Sequence, residues 1–380
     1  MNKQAFLDTL NGLVGALSDQ ERARLMEYYG EMIDEGVEDG IAEADVVATL
    51  GDPAEIARQL TAQPRQAPSA GSEEVTALNA LRIRVSNADV AVLREPLDNG
   101  AAAQLRFSDP SRFSWRMEGD TLVVEEPESE GMLFGLRWIR QLISMQQFKL
   151  TVALSGDLPG ALEFSSRGGD MLVEGLGIGG EARLRAGSGD VKLKRATFAA
   201  LNVNLGSGDA RLDGLKLDED LHLKAASGDV EISGLTARAM WMESASGDME
   251  LRDCEGGELT IVSGSGDIEA NRCRAGATSV HTASGDVRLE ELESDPQLSV
   301  ETASGDVELT RCIARETRIR SASGDVELRL EPLPCGYDLS ASSASGCIEL
   351  GDGCRGDAEG LKPRIAVRTA SGDITAKLIH

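Results

Sequence analysis

Carboxylates return at a fixed interval through the second half of this 380-residue chain. The phrase Ser-Gly-Asp, followed by an apolar residue, places Asp at 170, 190, 209, 229, 248, 267, 286, 306 and 325, in steps of 20, 19, 20, 19, 19, 19, 20 and 19. Gly168 replaces the Ser of the first copy, and two later copies carry Cys347 and Asp373 in the Asp place. A column of carboxylates could do three kinds of chemistry. It could bind calcium, as nine-residue Gly-rich repeats do. It could supply the acid and base of a sugar-cleaving groove. Or it could cap backbone N–H groups, each Asp closing its own corner as in an Asx-turn.

The three readings weigh differently. Calcium takes six to eight oxygens, and one Asp per unit with no second acidic column is thin. A calcium column of Asp190, Asp209, Asp229, Asp248, Asp267, Asp286, Asp306 and Asp325 is therefore the lesser reading, and no metal or cofactor is called for. Catalysis needs a break in the repeat where carboxylates converge, whereas here they recur evenly. A polysaccharide-active enzyme is the third reading, and no catalytic residue is assigned. Capping has a physical motive. Carboxylates ~5 Å apart repel by ~0.8 kcal/mol in water and ~3 kcal/mol at an effective dielectric of 20, and N–H donors would offset that.

The glycine of the phrase is the structural corner: Gly189, Gly208, Gly228, Gly247, Gly266, Gly285, Gly305 and Gly324 in the regular stretch. Either the backbone there has positive φ or the turn is too crowded for a Cβ. After each Asp comes an apolar residue, then a polar one, then usually another apolar one, as in Val230-Glu231-Ile232 and Val287-Arg288-Leu289. Upstream, Leu201/Val203, Leu221/Leu223 and Leu298/Val300 follow the same alternation. A period of two means strands. Each unit is two short strands around a corner, and only stacking buries its apolar face.

The fold class is therefore mainly β: a β-solenoid, taken as a right-handed single-stranded β-helix of 19–20 residues per rung, with a small N-terminal all-α domain. At ~4.8 Å per stacked strand, eleven rungs extend on the order of 50 Å.

Composition narrows the function classes. A net charge of −26 argues against nucleic acid or anionic lipid as a direct partner. No apolar run reaches membrane-spanning length, and residues 1–17 lack a signal-peptide pattern, so stable membrane insertion is not expected and the chain reads as cytoplasmic. Cys254, Cys273 and Cys312 each stand six places after a repeat Asp, where other units carry Leu215, Leu235 and Leu292, and are read as a core column. An inter-unit disulfide fits the spacing but not a reducing compartment. Cys335, Cys347 and Cys354 lack zinc-ligand spacing. His222, His281 and His380 have no recognisable partners, and of the exposed aromatics that sugar binding would favour the regular stack offers little beyond Trp241.

Residues 1–62 are helical. Phe6, Leu10, Leu13, Val14 and Leu17 recur at helical spacing, and Ser18 with Glu21 forms a capping box opening a second helix. That helix carries Leu25, Tyr28, Tyr29 and Met32 on one face and breaks at Gly36–Gly40. A third covers Glu43 to Leu50, after which Asp52 is the N-cap and Pro53 the first residue of a restart. The segment holds 13 acidic and 4 basic residues. This is either an ordinary solvated surface or a docking face for a basic partner.

Glu27-Tyr28-Tyr29, Gly40 to Val47 and Leu50-Gly51-Asp52-Pro53-Ala54-Glu55-Ile56-Ala57 resemble the HAAS helical signalling domain of bacteria. The resemblance implies a protein-interaction role, with a PadR-type regulator or the tail of a membrane protein as partner. The Ser-Gly-Asp-Val phrase resembles the bacterial "putative adhesin" family of β-strand repeats, from about Leu81 onward.

Residues 63–77 read as a linker and 78–380 as the solenoid: irregular first rungs over 78–160, regular repeats over 161–330, then a long insertion and the last rung over 331–380. Asn87-Ala88-Asp89 is a worn copy of the phrase, 81 residues (about four periods) before Asp170. Strands near Ala103 to Phe107, Thr121 to Glu125 and Phe148 to Leu154 supply the irregular turns. Gly131 to Gln147 reads as an amphipathic helix, either capping the solenoid or lying on a membrane. The whole is a non-catalytic signalling or scaffold protein. The runner-up is a cell-surface adhesin or ligand-binding β-helix, for which a secretion signal would discriminate. Oligomeric state is not legible.

Overall fold

The computed structural model describes residues 2–15, 19–38, 42–54, 56–57, 73–126, 148–352, 354 and 362–379. They fall into two units: one of 1–70, 109–114 and 127–148, which holds the helices described below, and a β one built from 71–108, 115–126 and 149–380.

In the helical unit, α1 (Lys3–Leu13) starts at Asn2, whose Oδ1 accepts the Ala5 N–H at 2.9 Å. α2 spans Asp19–Glu38 and buries Leu25, Tyr29 and Ile33, one residue per turn. α3 (Glu43–Leu50) contributes Val46 and Val47 and ends at Gly51, φ +91. Asp52 Oδ1 then accepts the Ala54 N–H at 2.9 Å, the cap expected of it. Phe6 meets Tyr29 edge-on, with ring centroids 5.5 Å apart. α2 ends at Glu38, inside the Gly36–Gly40 stretch expected to break it, and Ile33 joins its buried line. Leu17 and Ser18 lie outside the described residues.

The β unit is a solenoid of two 15-stranded sheets. One rung shows the logic. Val191–Lys194 is a four-residue strand in the first sheet, and Thr197–Leu205 is a nine-residue strand in the second. Ala210–Asp213 then returns to the first sheet, parallel and in register with Val191–Lys194. The corners differ. Ser-Gly-Asp leads from long strand to short strand, and a two-residue corner leads back.

Stacking in register makes columns. Met171, Val191, Ala210, Val230, Met249, Ile268, Val287, Val307, Val326 and Ile374 form one, each buried. From the other sheet Phe164, Leu184, Val203, Leu223, Met242, Ile261, Val280, Val300, Ile319 and Val367 face the same core. The inward parity shifts across the corner, from Leu205 to Ala210. That is why a pattern of alternation alone cannot run through it.

Both ends depart from chain order. Ala80–Arg84 pairs with Thr121–Glu125 on one side and Leu162–Ser166 on the other. Asp89–Arg94 likewise lies between Lys149–Leu154 and Met171–Glu174. The 81-residue gap therefore places no rungs between Asp89 and Asp170. One rung, made of 121–125 and 149–154, lies outside the 80–94 rung. Ala103–Phe107 runs antiparallel beside Lys149–Leu154, and Glu73–Val75, expected as linker, adds an antiparallel strand to it. At the other end Arg364–Thr369 and Ile374–Leu378 insert beneath Asp338–Ser343 and Ile348–Leu350. The expected last rung is the penultimate one, and the expected insertion contains the terminal rung. The Gly131–Gln147 segment lies outside the described residues, as does most of the 63–77 linker.

Candidate functional site

The long strand delivers each Ser-Gly-Asp corner with a buried residue at its end (half-buried at Ser343), and eight corners have a hydroxyl there, of which Thr302 Oγ1 alone makes no hydrogen bond. Ser166, Ser244, Ser263, Thr282, Ser321, Ser343 and Thr369 accept the corner Gly N–H through Oγ at 2.7–3.1 Å. The Ser of the phrase points elsewhere. Ser246 Oγ donates to Ala226 O of the preceding rung at 3.2 Å, and Ser323 Oγ to Ala303 O at 3.3 Å.

The Gly sits where a side chain cannot. Its φ is not positive at the Ser-Gly-Asp corners. A Cβ on Gly247 would lie 2.0 Å from Gly228 O, and one on Gly189 2.1 Å from Gly169 O. The crowding alternative is the one realised, because each corner nests against the carbonyl of the corner before it.

The Asp reaches forward to the next rung. Its Oδ1 accepts the backbone N–H of the following Asp, through Asp89, Asp170, Asp190, Asp209, Asp229, Asp248, Asp267, Asp286, Asp306, Asp325 and Asp373, to Cys347. The bonds measure 2.7–3.2 Å. This corrects the expectation that each Asp caps its own corner. Asp190 is held below the usual carboxylate range: burial works against this, but the Asp209 N–H and the Lys192 ammonium outweigh it. Among the described residues, no group of three His, Cys, Asp or Glu side chains converges as a metal site would.

The second corner is a site the sequence reading missed. Five places after each Asp from Asp170 to Asp306 the backbone is left-handed: Gly175, Arg195, Gly214, Gly234, Asp253, Arg272, Glu291 and Arg311, with φ between 48 and 73°. Gly fills this conformation at no steric cost, whereas Arg, Asp and Glu bear a strain. The non-Gly members alternate in charge along the stack. Arg272 donates twice to Asp253, at 2.7 and 2.9 Å, and Arg311 donates to Glu291 at 3.0 Å. The alternation of Asp253, Arg272, Glu291 and Arg311 at this place was the available signal.

The remaining candidates are dispersed. His281 has partners after all: Ser279 Oγ at 2.9 Å and Glu301 at 3.5 Å. The His222 ring lies 5.9 Å from that of Trp241, over which Lys224 Nζ sits at 4.7 Å. His380 lies outside the described residues. Cys254 and Cys273 are buried in the expected column, Cys312 is half-buried and Cys347 exposed.

These features define a class: a parallel two-sheet β-solenoid whose corners are tied rung to rung, joined to a small helical domain. The Toastrack DUF4097 family profile matches residues 78–270 and 216–377, and the chain belongs to that family. Residues 5–59 form a HAAS domain. No curated protein matches the chain. The crystal structure of a "putative adhesin" from Bacteroides fragilis NCTC 9343 is similar at 13% identity and TM-score 0.31, covering 81% of this chain and 95% of its own. That of a "putative cell adhesion protein" from Clostridium sporogenes ATCC 15579 gives 10% identity and TM-score 0.18, covering 81% and 97%.

Proposed function

We propose that this protein is a non-catalytic signalling or scaffold protein of the bacterial cytoplasm. Its HAAS domain binds a regulatory partner, and its solenoid serves as a rod or interaction platform. The observation that supports it most is the contrast between the units. The helical domain closes a core of its own from Phe6, Leu10, Leu25, Tyr29, Ile33 and Val47, and the acidic side chains of Asp8, Glu31, Asp34, Glu43 and Asp52 are exposed. The solenoid repeats one corner chemistry at even spacing, which suits reach or display better than a point-like reaction site. Among the described residues no helix is long and apolar enough to cross a membrane.

The partner that fits is basic: a PadR-type regulator, or the cytoplasmic tail of a membrane protein. Steering by the acidic surface makes the contact salt-sensitive. The test captures partners on the full chain from the native cell, then compares full chain, residues 78–380 and the full-length Asp8→Lys/Glu31→Lys variant. Binding should be lost in the truncation and weakened in the variant, and should fall as salt rises. Full binding by residues 78–380 would refute the proposal.

A further inference from the structure

Two thiols meet inside the rod. Cys254 and Cys273 occupy the same place on adjacent rungs, between the in-register pairs Arg252↔Asn271 and Glu255↔Arg274. Stacked rungs stand ~4.8 Å apart, inside the Cα separation that a disulfide spans. Packing does not demand sulfur here, since the column is otherwise Leu176, Ala196, Leu215, Leu235 and Leu292, with Cys312 beyond. Cys312 has Leu292 as its rung neighbour, so only Cys254 and Cys273 are adjacent.

The pair is chemically asymmetric. The closeness of the two thiols, aided by burial, pushes Cys254 up and holds Cys273 below the ordinary thiol range, while Cys254 Sγ donates to Arg252 O and Cys273 Sγ to Asn271 O, both at 3.4 Å. Cys273 is thus the better nucleophile of the two. Over them lies a groove of about 350 Å³, walled by Asp253, Arg272 and Glu291 on one side and by Glu255, Arg274 and Glu293 on the other. Its two guanidiniums are held in place, Arg272 on Asp253 and Arg274 on Glu293, both at 2.7 Å. The cysteines are 1% and 2% exposed. A molecule the size of peroxide therefore needs only a small opening of the groove floor to reach sulfur.

We propose that Cys254 and Cys273 form a redox modification site in the middle of the rod, closing to an inter-rung disulfide on two-electron oxidation by a peroxide. The Cys273 thiolate attacks one peroxide oxygen, breaking the O–O bond, forming a sulfenic acid and releasing hydroxide. The Cys254 sulfur then attacks the sulfenic sulfur, forming the S–S bond. The hydroxyl leaves as water with the Cys254 proton. In sum two thiols and hydrogen peroxide give one disulfide and two waters. Intracellular disulfides of this kind are transient and redox-sensing.

The test uses the reduced full-length chain and hydrogen peroxide. Folded protein is oxidised and alkylated, then unfolded and alkylated with a second, isotopically distinct reagent, and its peptides are weighed. The expected result is one linked peptide pair, containing Cys254 and Cys273 and lighter by two hydrogens, with Cys312 still a thiol. Cys254→Ala should abolish the link and leave Cys273 as a sulfenic acid trapped by dimedone. Cys273→Ala should abolish it with no trapped Cys254. Ala196 shows that the column accepts alanine, and the wild-type link stands as evidence even if a variant folds poorly. Recovery of both residues as thiols while exposed Cys347 is oxidised would overturn the proposal, as would a link that forms only after unfolding.

Discussion

Asp229 and Asp248 occupy successive rungs, and the Oδ1 of the first accepts the backbone N–H of the second at 3.0 Å. The same relation joins Asp248 to Asp267 at 2.9 Å. Each carboxylate therefore serves the rung after its own. The like charges of the column are tolerated because every one of them receives a donor fixed by the stack.

Replacing Asp248 with Ala removes the acceptor of the Asp267 N–H, and urea unfolding should show a loss of about 1–2 kcal/mol. Asp248→Asn keeps a carbonyl oxygen in place and removes one charge from between two others, so it should cost distinctly less. Calcium or chelator should leave the melting temperature unchanged. A rise at micromolar calcium would mean that a cation shares the column.

The two ends of the stack depart from the phrase. Ala88 stands at the corner-Gly place of the first Ser-Gly-Asp-like rung, and its carbonyl is the one Gly169 nests on. Cys347 stands at the Asp place of the final rung, where its N–H donates to Asp373 and, among the described residues, no later Asp N–H follows. Cys347→Ala should change stability by less than about 0.5 kcal/mol. Gly247→Ala, which brings a Cβ to 2.0 Å from a backbone oxygen, should cost more than about 4 kcal/mol or prevent folding. Equal effects of the two in thermal melts would contradict the nesting account.

Thr278 is 3% exposed in a column of Leu201, Leu221, Leu259 and Leu298, and its Oγ1 has no hydrogen-bond partner. Thr278→Val keeps the shape and removes the unmatched hydroxyl. It should stabilise the protein by about 1 kcal/mol, read as a higher urea midpoint at unchanged slope.

Surface carboxylates tie stability to acid. Hydrogen bonds from Arg272 hold Asp253 below its ordinary value, as those from Arg238 do for Asp220, from Arg274 for Glu293, and from Lys377 and Arg329 for Glu327. A carboxylate lowered in the folded state contributes stability that is complete above its unfolded value, about pH 4. That contribution disappears as pH falls through the lower folded value. Melting temperature should therefore be level from about pH 5 to 8 and fall below about pH 4. Arg272→Ala should make that decline shallower. A loss of stability that begins near neutral pH would point to other groups.

The solenoid is legible in the sequence because its determinants are local and repeated. The alternation of Val230, Glu231 and Ile232 fixes which side is buried, and the return of Gly at one place reports a position with no room for a Cβ. The cap on Asp52 is equally local. What the Gly avoids and what the Asp binds lie one rung away, so no residue's chain neighbours reveal them. The left-handed corner hides for another reason: Arg272 and Glu291 occupy a conformation usually marked by Gly. The order of rungs at both ends belongs wholly to the tertiary structure. Ala80–Arg84 and Arg364–Thr369 each carry the ordinary strand pattern, which would fit either side of a neighbouring rung. Pairing depends on which open strand edge each meets once the loops before and after it are placed, and strand pattern carries no information about that.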